Sequence, residues 1–187
     1  MKKISILIIA FCISLSAAKA QLQVPAYYGD SYSIGADVSN VMGEATVKYK
    51  VGVGVALKRE FHMTTQFNLT ASVGVQAFIP NSTYAYYLKY NGMPNNPYVV
   101  LPLKVGGRYY IADTWYAEAA GGAVVYTSDY RDPAITVGGG TGFSIPTENN
   151  RAFDIGVRFE NWYRKDIPGQ FNIGQTLTVR LAYKFGL

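Results

Sequence analysis

Large apolar residues alternate one by one with polar or small residues along most of the chain. The last twelve residues, TLTVRLAYKFGL, place a large apolar side chain at every second position from Leu177 to Leu187. A β-strand directs successive side chains to opposite faces, so this pattern predicts a strand with one apolar and one polar face. Residues 44–58 repeat it, with valines on one face and glycines and lysines, including Lys58, on the other.

The alternation recurs in eight segments, and no segment after residue 20 shows a helical period. Most segments are 10 to 14 residues long, which exceeds the usual length of soluble strands and suits tilted strands that cross a bilayer. We predict strands over residues 31–40, 44–58, 66–79, 98–111, 115–127, 134–145, 151–163 and 174–187.

Two architectures accommodate eight amphipathic strands: a soluble lipocalin-type barrel with its apolar face inward, and a membrane barrel with that face toward lipid. The polar face is rich in glycine, serine and threonine, which suit a narrow lumen better than a solvated surface. Aromatic residues such as Tyr109, Trp115 and Phe153 cluster toward strand ends, as in interfacial girdles. The sequence therefore predicts an all-β fold, an eight-stranded antiparallel up-and-down transmembrane β-barrel.

The first twenty residues have the features of a secretory signal peptide. Lys2 and Lys3 precede an apolar stretch, residues 4–15, and Ala18-Lys19-Ala20 forms a small-residue cleavage site. We expect residues 1–20 to be removed, residues 21–30 to form a short periplasmic segment, and residues 31–187 to form the barrel. Removal leaves 14 basic and 12 acidic residues, a formal net charge of +2, so the charge does not indicate nucleic-acid binding. It also leaves no cysteine.

The lengths of the links predict an orientation. The links near 59–65, 112–114 and 146–150 are short, whereas residues 80–97 form a long link rich in Pro, Asn and Tyr. Outer-membrane barrels have short periplasmic turns and longer external loops. We therefore expect a bacterial outer-membrane location with both termini periplasmic, although the predicted external link near 41–43 is short.

The signal peptide, the eight strands and the final segment Tyr183-Lys184-Phe185-Gly186-Leu187 resemble the small outer-membrane barrel proteins typified by OmpA and OmpX, especially porin-like barrel proteins of the Bacteroidetes type. The resemblance covers residues 28–187 and rests on pattern. The final aromatic residue usual in that family is replaced by Leu187, and Phe185 lies two residues earlier on the same face. The resemblance implies a Gram-negative cell-envelope protein.

Projection of the strands predicts a charged lumen with seven basic and four acidic side chains. Enclosed charges cost several kcal/mol each unless paired or hydrated, so we expect a cross-strand ion-pair network with trapped water. A narrow porin-like channel for small solutes or ions remains an alternative, although eight strands leave an interior filled by side chains. The predicted lumen residues are Asp37, Lys48, Lys50, Lys104, Arg108, Glu118, Asp154, Arg158, Glu160, Arg180 and Lys184.

The long external link offers a candidate binding surface, because tyrosines provide flat, amphipathic area for sugars or proteins. Basic residues near the outer rim would meet lipopolysaccharide phosphates. We therefore expect outer-membrane lipid and lipopolysaccharide as partners, and a protein of an envelope assembly as a further partner. The candidate loop residues are Tyr84, Tyr86, Tyr87, Tyr90, Arg131, Arg164 and Lys165.

No motif predicts catalysis, a cofactor or a metal site. The glycine-rich stretch 138–142 lacks the helix and the Lys-Ser/Thr pair of a phosphate-binding loop. His62 is the only histidine and lies in a predicted inner turn, whereas lipid-modifying outer-membrane enzymes usually place a histidine near the outer rim. We predict a non-enzymatic protein with a structural or surface-interaction role, and carry a lipid-modifying enzyme as a third alternative.

Overall fold

The computed structural model describes residues 29–127, 133–147, 149, 151–163 and 172–186. The predicted signal peptide, residues 21–28 and Leu187 lie outside these ranges. Eight strands of 12 to 15 residues are present: β1 Ser31–Met42, β2 Tyr49–His62, β3 Phe67–Pro80, β4 Tyr98–Tyr110, β5 Trp115–Tyr126, β6 Ala134–Thr147, β7 Arg151–Tyr163 and β8 Asn172–Gly186.

Each strand pairs antiparallel with the next, and β8 pairs with β1 to close the barrel. The predicted fold class is therefore confirmed. We call the end that holds the start of β1 and the end of β8 the terminal end, and the opposite end the loop end. In the described part of the chain, no helix has the length and apolar character that crossing a membrane would require.

The outer wall of the barrel is apolar and the inner wall is polar or small. On β1, Ile34 and Val38 are 52% and 55% exposed, whereas Ser33 and Ser39 are buried. Exposed aromatic residues collect near the terminal end, where register pairs Phe67 with Tyr109. The same level includes Phe143, Phe153 and Phe185. A continuous apolar belt with an aromatic band at its terminal edge is the surface expected of a membrane barrel.

Inward-facing glycines let neighbouring strands approach closely. A Cβ atom at Gly122 would overlap the carbonyl oxygen of Leu103 on β4, whereas one at Gly121 would lie 3.5 Å from its nearest neighbour, the carbonyl oxygen of Thr136. The two glycines are adjacent on β5 and face opposite sides of the wall.

We expect Gly122→Ala to lower the free energy of unfolding by about 1–3 kcal/mol, because the added methyl group forces backbone shifts. Denaturant titration of detergent-solubilised protein measures the loss. Gly121→Ala is the matched control and should change stability by less than about 0.5 kcal/mol. Equal losses for the two variants would contradict the close packing of β4 and β5.

The prediction that a strand begins at residue 44 is wrong. Residues Gly43–Val47 form a 3-10 helix, and the pairing of β2 with β3 shifts register between Tyr49 and Val51. This bulge inserts one residue, so Tyr49 packs into the interior while Lys50 is exposed. Lys48 directly follows the 3-10 helix and is also exposed. The predicted lumen positions of Lys48 and Lys50 are therefore corrected.

The link between β3 and β4 contains a helix, although no helix was predicted. Helix α1 spans Ser82–Tyr90. The Asn81 side chain accepts a hydrogen bond from the Tyr84 amide, 2.7 Å away, and caps the first turn. Gly92, with φ of 66°, ends the helix, and the Met93 amide donates to the Leu88 carbonyl.

Candidate functional sites in the lumen and at the loop end

Arg108 is the centre of the charged network in the terminal half of the lumen. Its guanidinium is buried and lies 2.7 Å from Asp154 Oδ2, 2.7 Å from Glu60 Oε1 and 2.9 Å from Glu118 Oε2. These carboxylates belong to three different strands, β7, β2 and β5. The Arg108 guanidinium also lies 3.8 Å from the centre of the Tyr116 ring. One side chain on β4 therefore joins the walls of the barrel across the lumen.

Two lysines compensate the same carboxylates from other strands. Lys184 on β8 donates to Glu60 Oε2 at 2.8 Å and to the Tyr110 hydroxyl at 2.9 Å. Lys58 on β2 donates to both oxygens of Glu118, at 2.6 and 2.7 Å. Glu60 and Glu118 therefore each contact two basic groups.

A second group of charges lies nearer the middle of the lumen. Lys104 donates to Glu160 Oε1 at 2.5 Å, and Arg158 Nε lies 2.6 Å from the same oxygen without hydrogen-bond geometry. Asp37 is contacted by Arg180 at 3.3 Å and by Arg158 at 3.6 Å. Among the described residues, the pairs to Asp37 are the longest ion contacts of the lumen.

An apolar cluster closes the lumen toward the loop end. Above the charges, Gln76 donates to the Ser39 hydroxyl at 2.6 Å, and Ser39 shares a 2.7 Å hydrogen bond with Thr178. Beyond these, buried apolar side chains, which we call the apolar plug, pack together, with Tyr49, Tyr98 and Tyr126 against them. The apolar plug consists of Val41, Phe78, Val100, Val124, Ala134 and Trp162.

The structure brings most of the predicted lumen charges together. Besides the exposed Lys48 and Lys50, all lie on the inner wall: Asp37, Lys104, Arg108, Glu118, Asp154, Arg158, Glu160, Arg180 and Lys184. Lys58 and Glu60 join them although the predicted set omitted both. Glu60 was missed because β2 continues to His62, four residues beyond its predicted end at residue 58.

The candidate loop tyrosines lie on α1. Tyr84 is half-buried, with its ring 5.9 Å edge-on from Tyr49 and 6.3 Å from the parallel ring of Tyr87. Tyr86 and Tyr90 stack on each other at 6.4 Å and are 72% and 80% exposed. We call Tyr86, Tyr87 and Tyr90 the tyrosine surface. Arg131, Arg164 and Lys165 lie outside the described residues.

Backbone and side-chain hydrogen bonds hold α1 against the barrel. The Asn81 side-chain nitrogen donates to the carbonyls of Thr46 and Val47, at 2.8 and 2.7 Å, and the Asn81 amide donates to the Lys48 carbonyl at 2.9 Å. Leu88 is buried on the inner side of the helix. The tyrosine surface is therefore presented from a fixed helix, with Lys48, Lys50 and Lys89 exposed at the same end.

His62 lies at the terminal end, where its backbone amide donates to Asp30 Oδ1 at 3.2 Å. The Arg59 guanidinium, 2.9 Å from Asp30 Oδ2, holds the pKa of Asp30 below its usual value. Among the described residues, no group of three or more His, Cys, Asp or Glu side chains is placed to hold a metal ion.

Known structures share this fold. No protein-family model matches the chain, and no curated protein matches it in sequence. Neisserial surface protein A, NspA, is 10% identical, with a TM-score of 0.63 over 85% of this chain and 97% of NspA. The N-terminal barrel domain of Pseudomonas aeruginosa OprF is 9% identical, with a TM-score of 0.50 over 84% and 98%. The outer-membrane enzyme PagL is 13% identical, with a TM-score of 0.46 over 83% and 99%.

The closed barrel, its apolar outer belt and the likeness to NspA and to the OprF domain define the fold. It is the fold of the small eight-stranded outer-membrane barrels of Gram-negative bacteria, and the predicted OmpA- and OmpX-like fold is confirmed. The Bacteroidetes type stays a prediction.

Proposed function

We propose that the protein is a non-enzymatic outer-membrane barrel that acts by surface interaction at the loop end. The observation that carries this proposal is that, among the described residues, the charged network and the apolar plug occupy the interior of the barrel. A barrel without an aqueous path acts through the surfaces that it exposes to the two compartments. The largest element outside the wall in the described residues is α1 at the loop end.

The proposed orientation places the loop end outside the cell and both termini in the periplasm. Within the described residues, the links at the terminal end are short turns, whereas the β3–β4 link at the loop end spans residues 81–97 and contains α1. This asymmetry supports the orientation, because external loops of outer-membrane barrels exceed periplasmic turns in length.

The proposed partners are lipopolysaccharide and a protein of the envelope. The tyrosine surface supplies flat aromatic area for sugar rings, and Lys48, Lys50 and Lys89 supply charge for phosphate groups. Arg131, Arg164 and Lys165 remain proposed members of the same basic rim.

Binding of purified lipopolysaccharide to the detergent-solubilised protein tests this proposal. We expect the double variant Tyr86→Ser/Tyr90→Ser to weaken binding about tenfold, which corresponds to about 1.4 kcal/mol. Tyr109→Ser, at an exposed tyrosine of the terminal end, is the control and should leave the affinity unchanged. Equal affinity in all three proteins, with the barrel folded, would contradict a role for the tyrosine surface.

A narrow channel is the alternative function, and planar-bilayer recording separates it from the proposal. We expect no discrete conductance steps from the wild-type protein, because both halves of the lumen are filled. Arg158→Ala removes a partner of Glu160 and Asp37, so it should lower the free energy of unfolding of the barrel. It should not produce a large gain in conductance. Reproducible unitary steps in the wild type would favour the channel.

A further inference from the structure

Among the residues that the structure describes, the charged side chains of the lumen do not balance. Six are basic: Lys58, Lys104, Arg108, Arg158, Arg180 and Lys184. Five are acidic: Asp37, Glu60, Glu118, Asp154 and Glu160. A buried charge without a counter-charge is strongly unfavourable, so the one excess positive charge of this set requires compensation.

The ion-pair distances locate the excess charge. Arg108 has three carboxylates within 2.9 Å. By contrast, Arg180 and Arg158 share Asp37 at 3.3 and 3.6 Å. Glu160, the second acidic neighbour of Arg158, is already bound by a lysine. Each lumen lysine has a carboxylate oxygen within 2.8 Å: Lys58, Lys104 and Lys184. The two guanidinium groups beside Asp37 are therefore the least compensated cations.

A cavity of about 20 Å³ lies beside these two arginines. Gly140 and Gly156 form part of its wall, and a Cβ atom at Gly156 would lie 2.8 Å from the Tyr116 hydroxyl. This volume suits one water molecule or one monatomic anion. Glu118 also lines the cavity, but its oxygens are already occupied by two cations. The basic and hydroxyl-bearing residues that line the cavity are Lys58, Tyr116, Thr141, Arg158 and Arg180.

We propose that this cavity binds one monovalent anion of the size of chloride. Three cationic side chains and one carboxylate, that of Glu118, line it, and the lining also includes Tyr116, whose hydroxyl is able to donate a hydrogen bond. Binding neutralises the excess positive charge. The attraction between the anion and the cationic side chains is stronger here than in water, because the effective dielectric constant of a protein interior is lower. The anion completes the charge network and so acts as a structural ligand of the closed lumen.

Refolding the full chain in bromide and in gluconate, at equal ionic strength and without chloride, tests the site. Bromide substitutes for chloride and scatters anomalously. We expect an anomalous difference peak in the cavity of crystals grown in bromide, and a thermal midpoint a few degrees higher in bromide than in gluconate. Absence of the peak together with equal thermal midpoints in the two salts would overturn the proposal. In that case either water fills the cavity or an uncharged lysine removes the excess positive charge.

Lys58→Met is the decisive variant, because it removes one cavity cation and balances the remaining lumen charges. Glu118 keeps Arg108 as its partner. We expect this variant to lose the bromide peak and the difference between the two salts. Arg59→Met changes the adjacent residue, which faces outward, and should retain both. Arg180→Gln serves the same purpose if Lys58→Met fails to fold. A bromide peak that persists in whichever of these two variants folds would overturn the proposal.

Discussion

We expect Arg108→Met to lower the free energy of unfolding by about 3–5 kcal/mol, the largest loss from a single substitution in the lumen. The substitution leaves three buried carboxylates with one cation fewer. Glu60 and Glu118 each retain a lysine partner, but Asp154 loses its ion pair with Arg108, whose guanidinium lies 2.7 Å from Asp154 Oδ2. The cost is therefore that of an uncompensated buried charge. Denaturant titration of the barrel in lipid vesicles measures it.

Two further variants make the Arg108 result specific. Arg59→Met removes a solvent-exposed pair with Asp30, which water screens, so it should lower stability far less than Arg108→Met. Asp154→Leu, added to Arg108→Met, removes the orphaned carboxylate and should recover part of the lost stability. A double variant no more stable than Arg108→Met alone would contradict the view that Asp154 is the uncompensated group.

We expect Val55→Arg to lower the free energy of unfolding in lipid vesicles by about 2–4 kcal/mol, because it places a charge near the bilayer midplane. Val55 lies in the middle of β2, is 58% exposed, and pairs with Ala36 and Val75 on the neighbouring strands. A water-facing valine at the same place would tolerate arginine with a change below about 0.5 kcal/mol.

The matched control for the lipid-facing substitution is Val47→Arg. Val47 is 71% exposed and ends the 3-10 helix at the loop end, outside the strands. The same chemical change there should alter stability little, because the charge remains in water or headgroups. Equal costs at Val47 and Val55 would show that the wall of β2 does not contact hydrocarbon.

The alternation of apolar and polar residues was sufficient to predict the barrel, because a strand in a closed barrel has one environment on each face. Most predicted strands match within a few residues, even the Gly-rich β6. The pattern failed where the backbone departs from a regular strand. At Lys50 the bulge before Val51 exchanged the two faces, and no residue type in that segment marks the exchange.

Two other failures have identifiable causes. Helix α1 is only weakly amphipathic, since its tyrosines lie on both its buried and its exposed sides. The sequence features that mark it are the capping residues Asn81 and Asn91-Gly92 rather than a helical periodicity of apolar residues. Those capping residues were in the sequence and could have predicted it. Glu60 was excluded by a predicted strand end at residue 58. Whether a residue faces the lumen follows from its odd or even position in the strand. Which lumen side chains form ion pairs depends on how the barrel closes, and the alternation of apolar and polar residues does not specify that.

The central claim is that the apolar outer wall contacts lipid while the inner wall is closed, and the two tryptophans report on it directly. Trp115 lies on the outer wall, where it donates to Thr141 and pairs with Phe143, whereas Trp162 belongs to the buried apolar plug. The measurement is fluorescence quenching by brominated lipids in two single-tryptophan proteins, Trp162→Phe and Trp115→Phe. Strong quenching of Trp115 and weak quenching of Trp162 are expected. Preferential quenching of Trp162, or no quenching of either, would contradict the account.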